Sequence, residues 1–478
     1  MYQPVIGLEV HVQLDTKSKC FCGCSIKFGQ SPNSQTCPVC LGFPGSLPVL
    51  NEAALKLSLK AALALDCEVS KFIKFDRKNY FYPDLPKNFQ ISQYDLPLSH
   101  NGALFIDSES GRKKIRIRRV HLEEDAGKLV HPEKGKMSMV DFNRSGTPLL
   151  EIVSEPDIDS AEEAYDYLLR LKAILEYLEV SDCNMEEGSL RCDANVSLKS
   201  AGGALGDKVE LKNMNSFKGV KQALEYEIKR QAELLDKKKK ITQETRLWDA
   251  VKNVTVSMRS KEEAHDYRYF PEPDLVPFIL DEDYIKKIRE SLPELPQARA
   301  ERFAREYNIP RYDAAVLTAD KYLADYFEQC VQLYDKTKIV SNWIMTELLA
   351  HLNKRNIDIR YLELKPKSFV SILEMMDEGS ISGKLAKEIL PEALESKKEP
   401  RDIVKEKGLV QVTDTKEIET IVERVIKENP KAAGDYYQGK TSAFTFLVGQ
   451  IMRVSRGKAN PKVANKILKE QLERRGNA

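Results

Sequence analysis

A stretch near the amino terminus, Val5 to Leu14, alternates aliphatic and polar side chains. Every even position is aliphatic, whereas Glu9, His11 and Gln13 occupy odd positions. Successive side chains of a β-strand point to opposite faces. The pattern therefore predicts a strand whose polar face holds Glu9 and His11 about 7 Å apart, two steps of ~3.4 Å. A carboxylate beside an imidazole is typical of a metal or acid–base site, and equally of a strand that faces water.

Length and composition set the broad class of protein. A chain of 478 residues predicts several domains, and 42% hydrophobic with 31% charged residues is ordinary for a globular protein. The formal net charge of +1 argues neither for nor against a nucleic-acid partner. Because no run of 18 apolar residues and no secretory leader is present, we expect a cytoplasmic protein with no membrane association.

The secondary-structure signals change along the chain. Up to residue 292, alternating strands mix with loops and a few helices, one of which is predicted to begin at Ser160 because Glu163 completes a capping box. After Leu292–Pro296, helical spacing dominates. We predict an α+β chain with domains at 1–292, 293–405 and 406–478. Strands are expected at 5–14, 113–122, 191–198 and 207–214.

The carboxy-terminal segment is basic. From Lys431 onward it holds ten basic and three acidic residues, in a chain that is otherwise slightly acidic. Segregated positive charge is typical of a nucleic-acid contact, and a solvated basic helix is the alternative.

Four cysteines fall into two pairs within residues 20–40. Cys22 and Cys24 form the first pair, and Cys37 and Cys40 the second. Paired thiolates are typical of a closed, structural zinc site. Cys20 is a fifth candidate, so Cys20 with Cys22 is the alternative first pair, and unrelated buried thiols are a further one. We predict a zinc-binding insertion at 20–40.

Two later segments repeat the layout of the first strand. Arg191 and Asp193 share one polar face, and Glu210 and Lys212 share another. The segment His121–Lys128 adds an acidic stretch. If the strands are neighbours, one cavity collects Glu9, His11, Glu124, Asp193 and Glu210.

Clustered carboxylates repel one another unless a cation lies among them. Hard oxygen ligands suit magnesium, which commonly accompanies phosphates. Arg191 and Lys212 are then candidates to neutralise a transferring phosphoryl group. Since the sequence has no Walker-type loop, any ATP site is expected on the sheet. Each strand taken alone is also compatible with a solvated face.

Two further segments, 76–84 and 266–274, interleave basic and aromatic residues with proline. This composition suits stacking and phosphate contacts, and packed turns use it equally.

Several of these strings resemble the B subunits of bacterial glutamyl/aspartyl-tRNA amidotransferases, and the resemblance runs the full length of the chain. The segments that carry it are Val5–His11, Phe75–Asp84, His121–Lys128, Glu186–Asp193 and Asp266–Pro271, with Phe446–Met452 and Gly457–Pro461 similar to the family's tRNA-binding module.

The resemblance implies a cradle domain with an antiparallel sheet similar to glutamine synthetase, then a helical domain and a tail. It implies that ATP phosphorylates the side chain of Glu or Asp misacylated onto tRNA(Gln) or tRNA(Asn), and that ammonia then forms the amide. The implied partners are an amidase (A) subunit, which releases ammonia from glutamine, and a small C subunit.

The resemblance also implies roles for residues. Glu9, His11 and Glu124 match magnesium positions, and Arg191, Asp193 and Glu210 match the kinase site. Lys78, Tyr80, Tyr82 and Arg268 match the substrate and ammonia route. Cys22, Cys24, Cys37 and Cys40 match the zinc ligands. The tail residues Arg453, Arg456, Lys458 and Lys462 are expected to contact tRNA.

Two alternatives to this function stay open. The chain has no Gly/Ser-rich stretch that could hold an amidase Ser-Ser-Lys set, so we expect no glutamine hydrolysis by this chain alone. A zinc-containing, tRNA-binding subunit without chemistry is the first alternative. A stand-alone ligase that uses free ammonia is the second.

Overall fold

A computed structural model describes residues 2–108, 111–131, 137–200, 203, 205–260, 267–408, 415–455, 459 and 461–476. The chain forms two compact units, Met1–Pro296 and Gln297–Ala478. The first is mixed α/β and the second is helical. The predicted domain boundaries after residues 292 and 405 stay predictions.

The first unit begins with a long strand and a helix, followed by a run of strands. These are β1 (Tyr2–Gln13), α1 (Glu52–Ala64), β2 (Glu68–Val69), β3 (Phe72–Ile73), β4 (Asp76–Asn79), β5 (Phe89–Ser92), β6 (Ser99–Ser108), β7 (Gly111–Glu124), β8 (Lys128–Val130), β9 (Met139–Asp141) and β10 (Pro148–Ser154). The remaining elements are α2 (Ala161–Tyr177), β11 (Leu190–Ser200), β12 (Val209–Lys212), α3 (Phe217–Asp236), β13 (Glu244–Asp249), β14 (Val254–Ser260), β15 (Phe270–Pro271), β16 (Phe278–Ile279) and α4 (Glu282–Glu290).

Nine strands form the main sheet, in the order β14-β13-β12-β11-β1-β10-β7-β6-β2. Its neighbours are antiparallel except for β12 and β13, which are parallel. All four strands expected from the sequence are present. The predicted α+β class is confirmed at this level, as a largely antiparallel sheet followed by helices, whereas the likeness to glutamine synthetase stays a prediction.

The alternation of β1 decides which face of the sheet is buried. Ile6, Leu8, Val10 and Val12 have no exposed surface and belong to one hydrophobic core with residues of α2 and α3. The helix α2 starts where the sequence predicts, because the Ser160 hydroxyl accepts a hydrogen bond from the main-chain N–H of Glu163 at 3.1 Å. The polar side chains of β1 are therefore directed to the opposite face.

The second unit is helical throughout its described residues. Its helices are α5 (Pro296–Glu306), α6 (Arg311–Thr318), α7 (Lys321–Leu333), α8 (Thr337–Trp343), α9 (Leu349–Arg355), α10 (Pro366–Asp377), α11 (Gly383–Ser396), α12 (Pro400–Glu406), α13 (Thr415–Glu428), α14 (Pro430–Tyr437), α15 (Thr441–Val454) and α16 (Pro461–Gly476). A π-helical turn, Ile344–Leu348, joins α8 to α9, and a 3₁₀ turn covers Ile359–Tyr361.

Two hydrophobic cores support these helices. One collects buried residues between Phe303 and Val404, and the other between Ile418 and Leu472. Within the described ranges, no helix combines the length and apolar character needed to cross a bilayer.

Two adjacent leucines of α2 test the packing that holds the sheet. Leu168 is fully buried, whereas 41% of Leu169 is exposed. We expect Leu168→Ala to lower the free energy of unfolding by about 2–5 kcal/mol, because it removes core contacts and leaves a cavity. Leu169→Ala is the matched control, with an expected change of about 0.5 kcal/mol or less. Denaturant titration measures both, and equal effects would contradict the assigned face.

Candidate active site on the polar face of the sheet

The polar face of the sheet brings charged side chains of separate strands into rows. In the register of β1 with β11, Glu9 lies opposite Asp193 and His11 opposite Arg191. In the register of β1 with β10, His11 lies opposite Glu151. Directly opposed residues on one face are close enough for their side chains to interact. The predicted convergence of polar strands is therefore present at the centre of the sheet.

One compact charged group, here the His11 group, contains the imidazoles of His11 and His121 and the carboxylates of Glu123 and Glu151. His11 Nε2 lies 3.5 Å from Glu151 Oε2 and 3.9 Å from Glu123 Oε1. His121 Nε2 lies 3.3 Å from the same Glu151 oxygen and 3.6 Å from Glu123 Oε2. One ligand atom from each of His11, Glu123 and Glu151 lies within 4.8 Å of the others, so these three residues can hold a metal ion.

Electrostatic attraction within this group opposes the effect of burial on the pKa of each member. Burial lowers the pKa of His11 and His121, but the nearby Glu151 and Glu123 carboxylates outweigh it and hold both values above the usual one. Burial likewise raises the pKa of Glu123 and Glu151. His121 and the charge of Lys78 outweigh burial and hold the pKa of Glu123 below the usual range, and His121 and His11 do the same for Glu151. Two ionised carboxylates therefore face one point in a buried setting, as a cation site needs.

The structure corrects the grouping expected from the sequence. Glu124 points to the other side of β7, where it forms an ion pair with Lys87 and accepts a hydrogen bond from the Ile91 N–H at 3.0 Å. Glu9 accepts a hydrogen bond from Asn195 Nδ2 at 2.8 Å. The functional roles of Glu9 and Glu124 stay predictions, but neither belongs to the His11 group.

Glu123 and Glu151 were missed for identifiable reasons. Adjacent residues of a strand point to opposite faces, and the buried Val120 and Leu122 place Glu124 on their side of β7. The spacing of the buried Val120 and Leu122 is therefore the signal that His121 and Glu123 share the opposite face. In β10 the signal is a single acidic residue in an otherwise apolar strand, Pro-Leu-Leu-Glu-Ile-Val-Ser.

The expected kinase residues lie on the neighbouring strands β11 and β12. Lys212 forms an ion pair with Asp193, and its Nζ lies 3.2 Å from Glu210 Oε1. The Thr245 hydroxyl donates a hydrogen bond to Glu210 Oε2 at 2.8 Å. Burial lowers the pKa of Lys212, but Asp193 and Glu210 outweigh it and hold the value above the usual one. The Lys212 ammonium is thus held between two carboxylates, and one of them, Asp193, lies opposite Glu9 in the register of β11 with β1.

Arg191 is held by an acidic residue that the sequence reasoning did not single out. Asp125 is buried and accepts hydrogen bonds from Arg191 Nη2 at 2.9 Å and Gln13 Nε2 at 2.8 Å. Arg144 Nε lies 3.6 Å from the same oxygen. Burial raises the pKa of Asp125, but Arg191 and Arg144 outweigh it and hold the value below the usual range.

The two aromatic and basic segments, 76–84 and 266–274, pair with each other. In a small sheet of β15, β4 and β5, Phe270 lies opposite Arg77. The Lys78 ammonium lies 4.9 Å from the ring centre of Tyr267 and 5.9 Å from that of Tyr80. Burial lowers the pKa of Lys78, but the charges of Glu123 and Glu151 hold it above the usual value.

Other residues expected on the substrate and ammonia route lie at the surface. Half of Tyr82 is exposed, and Arg268 is exposed with its main-chain carbonyl accepting a hydrogen bond from Asn79 Nδ2 at 2.8 Å. Tyr94 stacks on Tyr269 with ring centres 4.2 Å apart. The route itself stays a prediction.

The paired cysteines meet in a second group. The sulfur atoms of Cys22, Cys24, Cys37 and Cys40 all lie within 4.8 Å of one another and can hold a metal ion. Cys20 lies outside this group, fully buried in the main hydrophobic core. A hydrogen bond from Cys22 lowers the pKa of Cys40 to about 4. The spacing of the cysteines alone predicted this grouping.

The residues expected to contact tRNA are described only in part. Arg453 is exposed near the end of α15. Arg456, Lys458 and the side chain of Lys462 lie outside the described residues.

Fold and site together define a mixed α/β protein with a candidate metal centre on the polar face of its sheet, followed by a helical unit. The chain matches the family model of the GatB/GatE catalytic domain over residues 4–286 and that of the GatB domain over residues 325–472.

Similar proteins carry one name. A Carboxydothermus hydrogenoformans protein is 56% identical over 477 residues, covering 98% of this chain and 99% of the relative. A Caldanaerobacter subterraneus protein is 55% identical over 474 residues (99% and 100%), and one from Thermotoga maritima 52% over 478 residues (99% of each). All three are named as the B subunit of aspartyl/glutamyl-tRNA(Asn/Gln) amidotransferase. The chain belongs to this family, which confirms the resemblance found in the sequence.

The Asp125–Arg191 pair provides a test of how the site is held together. We expect a double-mutant cycle of Asp125→Asn and Arg191→Gln to give a coupling energy of about 2 kcal/mol, because Asp125 is buried. The exposed pair Lys71–Glu282 is the control, with an expected coupling below about 1 kcal/mol. Thermal or denaturant unfolding measures both cycles. A coupling at Asp125 no larger than the control would contradict the assigned role in positioning Arg191.

Proposed function

We propose that this chain is the component of a tRNA-dependent amidotransferase that phosphorylates and amidates Glu or Asp attached to tRNA(Gln) or tRNA(Asn). The full-length similarity to proteins named as the B subunit of aspartyl/glutamyl-tRNA(Asn/Gln) amidotransferase carries this proposal. Aminoacyl-tRNA is used in the cytoplasm, which is therefore the compartment we propose.

The chemistry explains the need for ATP. Ammonia does not readily replace an oxygen of a carboxylate, because that oxygen would have to depart as oxide, which is a very poor leaving group. In the proposed reaction, a side-chain carboxylate oxygen bonds to the γ-phosphorus of ATP while the bond to ADP breaks. Ammonia then attacks the carbonyl carbon, phosphate leaves, and the nitrogen loses a proton to give the amide.

The His11 group is suited to a divalent cation that prefers oxygen ligands. Glu123 and Glu151 offer the hard oxygen atoms that magnesium prefers, and the His11 imidazole extends the choice to manganese. A bound cation would neutralise charge on the ATP phosphates. The position of three donor atoms within 4.8 Å in a buried setting supports this assignment.

The flanking cations suit the phosphoryl group. We assign Arg191, held by Asp125, and Lys212, held between Asp193 and Glu210, to neutralise charge during phosphoryl transfer. In the register of the sheet, Glu9 lies opposite Asp193, the partner of Lys212. Each cation is fixed by a carboxylate, which limits the rearrangement needed when phosphate arrives.

We assign the part of the site around Lys78 to the amino acid and ammonia. Lys78, with Tyr80 and Tyr267 around its ammonium, faces the same carboxylates as the proposed cation. Together with Tyr82 and Arg268, it forms the substrate and ammonia route that we propose. Ammonia would come from a separate amidase (A) subunit, joined to this chain by a small C subunit.

The tail is proposed to bind tRNA through its basic residues. Arg453 is exposed, and the segment that follows adds Arg456, Lys458 and Lys462. Positive side chains contact phosphates whatever the base sequence. They would therefore raise the affinity for tRNA in general more than the discrimination between tRNAs.

Glu151 provides the test of the kinase chemistry. In the reconstituted complex with A and C subunits, we expect Glu151→Gln to lower ATP-dependent phosphorylation of Glu-tRNA(Gln) by about 100-fold or more and to raise the magnesium concentration needed. Binding of Mn²⁺ to the variant, measured by calorimetry, should weaken in parallel. Glu162→Gln, an exposed change on α2, is the control.

The outcomes separate the functional alternatives. Phosphorylation that persists in Glu151→Gln and also in Glu123→Gln would overturn the assigned cation site. Failure of the unaltered complex to phosphorylate Glu-tRNA or Asp-tRNA, with tRNA binding intact, would instead favour a tRNA-binding protein without chemistry.

We also propose that the four-cysteine group binds structural zinc, since a closed shell of four sulfur atoms leaves no position for a substrate. Cys22→Ser should lose the metal, whereas Cys20→Ser should retain about one zinc per chain, measured by plasma mass spectrometry of the purified full-length protein. Zinc lost from Cys20→Ser but retained by Cys24→Ser would identify Cys20 and Cys22 as the first pair.

A further inference from the structure

A lysine beside the cysteine group is buried without a carboxylate partner. Lys19 has no exposed surface. Its Nζ donates hydrogen bonds to the main-chain carbonyl of Phe142 at 3.2 Å and to Cys40 Sγ at 3.5 Å. Among the residues that the structure describes, no carboxylate forms a salt bridge with it. Burying an ammonium group is costly unless an opposite charge compensates it.

The charge of a metal-loaded cysteine group supplies that compensation. Four thiolates around a divalent ion carry two net negative charges. Cys40 is the ligand within reach of Lys19, and a charge-assisted hydrogen bond to a thiolate is stronger than one to a neutral thiol. The ammonium and the metal-bound thiolates therefore compensate each other's charge in a buried setting.

We propose that Lys19 is the internal counter-ion of the Cys22–Cys24–Cys37–Cys40 metal site, and that it stabilises the metal-bound thiolates through Cys40. This inference rests on the proposed zinc site. Lys19 is a positioning residue in this assignment, because its ammonium contacts a ligand sulfur and not the metal.

The contacts of Lys19 also explain why it is buried at this place. The same ammonium bonds the carbonyl of Phe142, and the Cys20 N–H donates to the carbonyl of Gly146 at 2.7 Å. The Phe142 N–H in turn donates to Asn33 Oδ1 at 2.8 Å. The cysteine loop, residues 19–40, is thus hydrogen-bonded through Lys19, Cys20 and Asn33 to the turn before β10, residues 142–147. Lys19 links that turn to the metal ligand Cys40.

The test compares two lysines of the same loop in the full-length chain. Lys19→Met keeps the length of the side chain and removes its charge. Lys27→Met makes the same change at an exposed position three residues from Cys24. Competition with a chromogenic chelator measures zinc affinity, and cobalt substitution reports on the thiolates through their charge-transfer absorption.

We expect Lys19→Met to weaken zinc binding by about 10- to 100-fold, the usual effect of losing a partner of a metal ligand, and to shift the cobalt–thiolate band. Lys27→Met should remain within about twofold of the unaltered protein. Lys19→Arg, which retains the charge, should recover part of the affinity and serves as the second variant if Lys19→Met does not fold.

Each result has a defined meaning. Zinc affinity unchanged in Lys19→Met, or lowered equally in Lys27→Met, would overturn the role of Lys19 while leaving the zinc site in place. The same holds if Lys19→Arg folds and binds zinc no better than a folded Lys19→Met. An unaltered protein that binds no zinc would overturn the zinc site, and the counter-ion with it.

Discussion

The pairing of β1 with β10 on one side and β11 on the other is the constraint on which the candidate site depends. It aligns His11 with both Glu151 and Arg191, and Glu9 with Asp193. A slip of one residue would turn every polar side chain of β1 into the core and every aliphatic one out of it. The buried row from Ile6 to Val12 therefore fixes the register, and hydrophobic packing indirectly sets the distances between charged groups.

Within this frame the charges are arranged for binding more than for stability. Glu123, Glu151 and His121 are buried beside the half-buried His11, and Asp125 is buried beside the half-buried Arg191. Apolar residues of similar size would generally stabilise such positions equally well or better. Buried groups with displaced pKa values in one cavity are characteristic of functional sites, because they hold a charge where a ligand needs it. The concentration of such groups on one sheet face is thus the structural reason to locate chemistry there.

The sequence predicts the local parts of this arrangement and misses the non-local ones. Alternation in β1 and β11 identifies the polar faces of Glu9, His11, Arg191 and Asp193, because strand period is a local property. The cysteine group follows from spacing for the same reason. The partner of His11 cannot be read in this way, since β10 lies about 140 residues along the chain and pairing between distant strands leaves no local signal. The expected grouping of Glu124 with His11 is not found, because the two adjacent acids of β7 point to opposite faces and Glu124 shares the face of Val120 and Leu122. The role of Glu124 stays a prediction.

The turn before β10 connects the two groups that can hold a metal ion, the His11 group and the four-cysteine group. Glu123 faces His11, while Glu124, its neighbour in β7, faces Lys87 and the side of the sheet where Gly146 and Lys19 lie. The turn before β10 contacts both sides. Arg144 in this turn donates hydrogen bonds to the carbonyls of Ala126 and Gly127. It also lies beside Asp125, which forms the ion pair with Arg191. The cysteine loop bonds the same turn through Lys19, Cys20 and Asn33. The cysteine loop supplies no ligand to the His11 group. Through its hydrogen bonds to the turn before β10, it restricts the backbone that positions Arg191 and so contributes to the alignment of that side chain.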